Sequence, residues 1–390
     1  MTTANLGSLF VFIRNGKSVR QQRDANGIPV SRIETISHGF IDPSRVGYAG
    51  IGLSEGRDWL LKEGDILFSH INSVEHVGKC AIYEGYPTQL VHGMNLLCLR
   101  PDPTKLWPKF ALYLLRTPGF RAKLSNYINK AVNQASVSTT NLKQIKVCIP
   151  VLAEQRRIAA FLDQAEALRS KRRKTLAKLE SLGVSVFLEM FGSPVVNPKS
   201  WPLRPIAKIG RVITGNTPSR EVPEYFGNEI EWIKSDNLNS PQYLVTRSSE
   251  GLTQLGRSVA RVTPRNSILV TCIAGSPSCI GNAGFADREV AFNQQINAIV
   301  PEIGNPHFIY ALIRAGKKLI QQASTSGMKG MVSKSTFEKI MLPFPPLDLQ
   351  ELFASRIAAI ENSRTVADSS LARIDALLSS IQHRAFRGEL

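Results

Sequence analysis

Asparagine, glutamine, arginine and lysine recur in short polar loops of this chain, and that mixture suits the reading of nucleic-acid bases. A carboxamide can pair bidentately with adenine, and Arg or Lys with O6 and N7 of guanine. Lys, Ser, Thr and backbone amides suit phosphates. The segment RNGKSVRQQR (14–23) offers Lys17 and Arg20, and NKAVNQASVST (129–139) offers Lys130, Asn133 and Gln134. Further along, TGNTPSR (214–220) offers Arg220, IKSDN (233–237) offers Lys234 and Asn237, and TSGMKGMVSK (325–334) offers Lys329 and Lys334. FNQQ (292–295) is another loop of the same kind. All ten named residues are candidate nucleic-acid contacts. A single polar loop is ordinarily just a solvated loop; the weight here comes from their occurrence as a set, in two copies.

Residues for bond-breaking chemistry do not assemble in the same way. The histidines at 38, 70, 76, 92, 307 and 383 form no HxxxH or HxH pair, and His70 and His76, flanking a strand end, read as structural. Cys80, Cys98, Cys148, Cys272 and Cys279 are far apart and make no CxxC, so neither a disulfide framework nor a zinc site is expected. There is no GxxxxGK[ST] loop and no GxSxG elbow. The NPPY or DPPY tetrapeptide and the glycine-rich cofactor loop of adenine methyltransferases are absent too, as is a PD…ExK nuclease set. The expectation is a binding protein with no catalytic residues, metal or cofactor of its own. A self-contained methyltransferase or nuclease with dispersed catalytic residues is the alternative.

The elements that would position these loops are written twice. STTNLKQIKVCIPVLAEQRRI (138–158) matches SKSTFEKIMLPFPPLDLQELF (333–353) at a shift of 195, aligning Ser138 with Ser333, Pro150 with Pro345 and Gln155 with Gln350. GDILFSHINSVEHVGKCAIYEG (64–85) resembles NSILVTCIAGSPSCIGNAGFAD (266–287) at a shift of 202, and VSRIETISHGFID (30–42) resembles IEWIKSDNLNSPQ (230–242) at 200. Drifting offsets mean one fold with loops of unequal length. Each copy reads as mixed α/β: DILFSHI (65–71) and SILVTCI (267–273) as strands, KFALYLLRTPGFRAKLSNYI (109–128) and HFIYALIRAGKKLIQQAS (307–324) as amphipathic helices.

After each copy comes a long helical stretch without internal proline, 153–191 and 348–390. A 4-3 spacing in the second selects Phe353, Ile357, Ile360, Arg364, Ala367, Leu371, Ile374, Leu378, Ile381 and Ala385. The 195 shift gives Ile158, Leu162, Ala165, Arg169, Arg172, Leu176, Leu179, Gly183, Val186 and Met190, with arginine again interrupting the seam at the same place. At 1.5 Å per residue such a helix runs to roughly 58 Å, longer than a small domain is wide, so pairing with another long helix is expected. The division is thus 1–152, a central helix 153–192, 193–347 and a C-terminal helix 348–390. The proline-rich GSPVVNPKSWPLRP (192–205) ends the first helix.

Forty-eight Lys and Arg against 31 Asp and Glu give a net charge of +17 over 390 residues, which suits a polyanionic partner. The excess lies mostly on the two globular copies. No apolar run approaches the roughly 20 residues that span a bilayer. The N-terminal segment lacks the marks of a signal peptide, and a cytoplasmic location is expected.

PVLAEQRRIAAFLD (150–163) and PPLDLQELFASRI (345–357) resemble the strand-to-helix junctions of specificity subunits of Type I restriction–modification enzymes. GDIL (64–67), VGKCAI (77–82) and the terminal FRGEL are similar to that family too, and the resemblance covers essentially the whole chain. Leu349, where the family has an acidic residue before Gln350, departs from the pattern. The resemblance implies an α/β (α+β) fold: two similar target recognition domains, each followed by a long helix, the helices packed as an antiparallel coiled coil with pseudo-two-fold symmetry. It implies that each domain reads half of a bipartite, asymmetric DNA site. Two modification (methyltransferase) subunits would dock on the helices and bring S-adenosylmethionine, and restriction subunits would add translocation and cleavage.

Overall fold

The computed structural model describes residues 1–21, 26–131, 134–240, 242–325, 330–386 and 389. Asn133 and Lys329, two of the ten candidate contacts, lie outside the described residues. The chain gathers into two compact units. The first comprises Met1–Arg173 with Ser370–Leu390, and the second Lys174–Ser369. Each unit therefore holds one globular copy, one half of the helix Leu152–Phe191 and one half of the helix Leu347–Ala385.

The first unit is built on a four-stranded antiparallel sheet in which Leu96–Pro101 lies between Phe10–Asn15 and Ile66–Ser69, with Cys80–Ile82 at the edge. The second repeats it with Ile296–Pro301 between Gly210–Thr214 and Ile268–Thr271, and Ala283–Phe285 at the edge. The continuous apolar runs ILFS and ILVT are buried along their whole length, as a strand covered on both faces requires.

Each expected amphipathic helix is in fact two. Residues 109–128 form Pro108–Arg116 and Pro118–Ser125, because Pro118 holds Thr117 extended (φ −65°, ψ 146°) and Thr117 Oγ1 then accepts from Phe120 N at 3.1 Å as the cap of the second helix. Residues 307–324 form Pro306–Ala315 and Lys317–Gln322, parted at Gly316.

All twenty seam positions of the long helices are buried or half-buried. In the second unit Phe187 and Phe191 each pack on Phe353, with ring centroids 5.6 Å apart, while Gly183 faces Ile357. Numbers fall along one helix as they rise along the other, so the pair is antiparallel. In the first unit Leu378 and Ala385 of the second helix join the core that holds Ile158 and Leu162 of the first. Arg169 Nε lies 2.7 Å from Asp375 Oδ1 across that pair. The second helix ends at Ala385, short of the expected 390.

The repeated glutamines fasten each helix to its domain. Gln155 is buried; its Oε1 accepts from Trp107 N at 2.8 Å, and its Nε2 donates to the carbonyls of Lys105 and Pro150, both at 2.9 Å. Gln350, equally buried, accepts from Asn305 N at 2.9 Å and donates to the Pro345 carbonyl at 2.8 Å. Trp107 and Asn305 are the residues that precede Pro108–Arg116 and Pro306–Ala315.

Candidate nucleic-acid interface

Strand register gathers the polar loops. In the first unit Asn15 is opposite Leu97, and Leu96 opposite Ser69, so these three strands finish at one end of the sheet. Lys17 continues from that end. Its amide donates to the His92 carbonyl at 2.9 Å, and its carbonyl accepts from Met94 N at 3.1 Å. Ile71–Asn72, leaving the same end, pairs with Gln134–Ser136, which in turn pairs with Asn129–Ala131. The two loops singled out from the sequence in this copy thus converge. Arg20, Lys130 and Gln134 are exposed there, and the Lys17 ammonium sits 4.5 Å above the Trp59 ring.

The second unit gathers more. Thr214 is opposite Asn297, and Thr271 opposite Ile296. From this end leave the segment bearing Arg220, the turn 292–295, and Ile273–Ala274, which pairs with Gly330–Met331. The IKSDN loop joins them: Asn293 N donates to the Ile233 carbonyl at 3.0 Å, and Ser235 Oγ to Gln295 Oε1 at 3.0 Å. Within FNQQ the roles divide. Asn293 is buried and its Nδ2 donates to Gln295 Oε1 at 3.0 Å, while Gln294 is exposed and takes a hydrogen bond from Thr217 Oγ1.

The named residues differ in what they have to spare. Asn237 uses its carboxamide locally, accepting from Lys234 N at 3.0 Å and donating to Thr246 Oγ1 and the Arg247 carbonyl, each at 3.2 Å. Lys334 opens the helix Lys334–Glu338, 3.6 Å from Glu338. Arg220 and Lys234 share one carboxylate. Arg220 Nη2 lies 2.7 Å from Glu250 Oε2, and Lys234 Nζ bonds Oε1. These two cations hold the Glu250 carboxyl below the usual carboxylate range, Lys234 foremost.

Sequence reasoning missed Glu250, Trp59, Phe226 and Trp232, because what makes them relevant is contact across long stretches of chain. It also missed Met94 and Asn95, exposed at the loop end of the first unit. A signal for those was present: moving FNQQ back by 200 lands on HGMN (92–95).

Among the described residues no group of His, Cys, Asp and Glu could hold a metal ion, and the five cysteines are free. No described helix is long and apolar enough to cross a membrane.

Two sheet-based units with polar loops at one sheet end, joined to halves of paired helices, define a duplicated recognition protein. The family model described as the Type I restriction modification DNA specificity domain matches residues 1–181 and again 198–371, and the chain belongs to that family. The putative type I restriction enzyme MjaX specificity subunit of Methanocaldococcus jannaschii is 31% identical over 99% of this chain and 92% of its own length. The HindI specificity subunit of Haemophilus influenzae is 24% identical over 50% of this chain and 42% of its own. Among solved structures, the S subunit of a Type I restriction–modification system from M. genitalium superposes with a TM-score of 0.61 at 13% identity, covering 99% of this chain and 96% of that one. The fold is thus that of the specificity subunits, the DNA-recognising and non-catalytic members of such systems.

Proposed function

We propose that the two recognition domains, 1–152 and 193–347, each read one half of a bipartite, asymmetric DNA site, and that the long helices act as the spacer between the readings. Two modification subunits docked on the helices bring S-adenosylmethionine and methylate adenine, and restriction subunits join the same assembly. The observation that carries this reading is the convergence of the polar loops at one end of the sheet in both units. Lys17, Arg20, Lys130, Asn133 and Gln134 serve the first half-site. Arg220, Lys234, Asn237, Lys329 and Lys334 serve the second.

The test is a methylome from a host that lacks other such systems and expresses this chain with a modification subunit. Methylation at two short sequences separated by a fixed gap is expected. Alanine at the named residues of one unit should change one half-site and spare the other. Each lost phosphate contact should lower the salt slope of binding by about one. If alanine at all five positions of a unit leaves binding as in the parent, that unit's face lies elsewhere. Purified chain with S-adenosylmethionine, ATP and magnesium should neither methylate nor cleave DNA; turnover that follows the protein through purification would overturn the non-catalytic reading.

A further inference from the structure

Arg220 lies at the reading end of the second unit with its position already fixed. Its guanidinium carbon is 4.5 Å from the centroid of the Phe226 ring and 5.3 Å from that of Trp232. One nitrogen, Nη2, is tied to Glu250. Trp232 is itself anchored, its Nε1 donating to the Asn216 carbonyl at 3.2 Å and its amide to the Glu250 carbonyl at 3.1 Å. Lys234, half-buried, closes the cluster from the other carboxylate oxygen and sits 5.2 Å from the same indole.

A carboxylate is an odd residue to place where phosphates approach, since it cancels positive charge. Its presence fits a different requirement. An exposed arginine samples many rotamers and must give them up on binding. One held against two rings and tied at one nitrogen has given them up on folding, which is preorganisation. Of its five N–H donors, only those of Nη2 face Glu250. The side chain is 57% exposed, and its hydrogen bond to Glu250 engages Nη2 alone. A planar fork with donors to spare fits the O6 and N7 acceptors of guanine, a match that a lysine ammonium does not make as well.

We propose that Arg220 reads a guanine in the second half-site and that Glu250 is the positioning residue that aims it, with Lys234 as the strut that holds Glu250. This rests on the reading that the loop end of the second unit faces DNA.

The test is selection of bound duplexes from a pool randomised across both half-sites, using the full chain with its modification subunit at fixed salt. The parent should select guanine at a position of the second half-site. Arg220→Ala should lower that preference about 10- to 100-fold. Glu250→Gln keeps the shape and drops the charge; it should weaken the preference at the same position by a smaller factor and leave the first half-site unchanged. Arg220→Lys keeps the charge and should lose the guanine preference while holding most of the total affinity.

Two outcomes with Glu250→Gln overturn the proposal. In one, Glu250→Gln raises affinity for every duplex alike with base preference intact, which would make Glu250 a repulsive charge only. In the other, the two variants relax different positions. Should Glu250→Gln fail to fold, Arg220→Lys decides, since an unchanged guanine preference sinks the idea. A parent that selects no split site at all would instead refute the functional reading on which the proposal stands.

Discussion

Gln155 and Gln350 occupy matching places in the two units and make nearly the same hydrogen bonds, whereas the loop ends of the two sheets share a strand layout but differ in their side chains. At the helix end, each glutamine ties a helix start to the segment that leads into the domain's own helix, and Phe386 packs on Phe110 at 5.2 Å much as Phe191 packs on Phe308 at 4.9 Å. At the loop end, buried His92 of the first unit stands where Phe292 stands in the second. A single lysine over Trp59 contrasts with an arginine, a lysine and a glutamate around Trp232. Parts that must fit a common frame have stayed alike, and parts that would read different sequences have diverged.

The helix pair departs from that rule. Gly183 occupies in the second unit the seam position that buried Leu378 occupies in the first, 195 residues on. The missing side chain contributes to a cavity of 190 Å³ bordered by Leu179, Gly183, Phe187, Tyr310 and Ile357. Ion pairing differs too. Arg169 reaches Asp375 on the other helix, whereas Arg364 pairs along its own helix with Glu361 and Asp368, at 3.8 and 3.9 Å.

The glutamines offer the largest test of this comparison. Gln155→Leu would strand one amide and two carbonyls and is expected to destabilise the first unit by about 3 kcal/mol or more. Gln350→Leu strands one of each and should cost about 2 kcal/mol. Urea unfolding followed separately in each unit checks the order; equal costs would mean that the extra bond of Gln155 contributes nothing. Next in size, Leu378→Ala should cost about 2–4 kcal/mol by opening a hollow in the first unit. Gly183→Ala should instead stabilise the second by about 1 kcal/mol. An added Cβ there meets only Ile357 Cδ1, at 3.6 Å. A loss of stability in Gly183→Ala would show that the hollow is needed as it stands.

Smaller effects probe the differences. Burial holds the His92 imidazole below its ordinary 6.5, although Nδ1 and Nε2 lie 2.9 and 3.2 Å from the carbonyls of Trp59 and Asn15. The unfolded chain then takes up the proton first. His92 contributes stability above pH 6.5, and that contribution is lost as pH falls from 6.5 towards the folded value. In His92→Phe, which borrows the second unit's residue, the fall of Tm between neutral and mildly acidic pH should be shallower. An unchanged pH slope would assign it to other groups. Least of all, Asp375→Asn should cost about 0.5 kcal/mol, since the side chains of its ion pair with Arg169 are 43% and 30% exposed and solvent screens the charges.

Much of the frame was legible because it is periodic or repeated. The 4-3 spacing marked ten seam positions, and the 195 shift marked the other ten and made the two glutamines equivalent. The polar loops were legible as composition, and their convergence followed once the strands took register. What escaped notice depends on contacts between distant residues. Nothing local tells that the carboxamide of Asn237 is spent on Thr246 and Arg247, or that Glu250 will meet Arg220. The break at Thr117 could have been read from Pro118, but the apolar period ran on through it and hid the stop.

That each unit takes in half of each long helix bears on how the molecule is made. The core around Phe110 includes Leu378 and Ala385, with Phe386 against it. The intervening Lys174–Ser369 belongs to the other unit. At a synthesis rate of about 5–20 residues per second, that insertion takes roughly 10–40 s to emerge. During this interval the amino-terminal sheet is complete, yet the apolar stripe that Leu378, Ala385 and Phe386 will cover is bare. The first unit to leave the ribosome is thus the one that must wait for the second long helix to close.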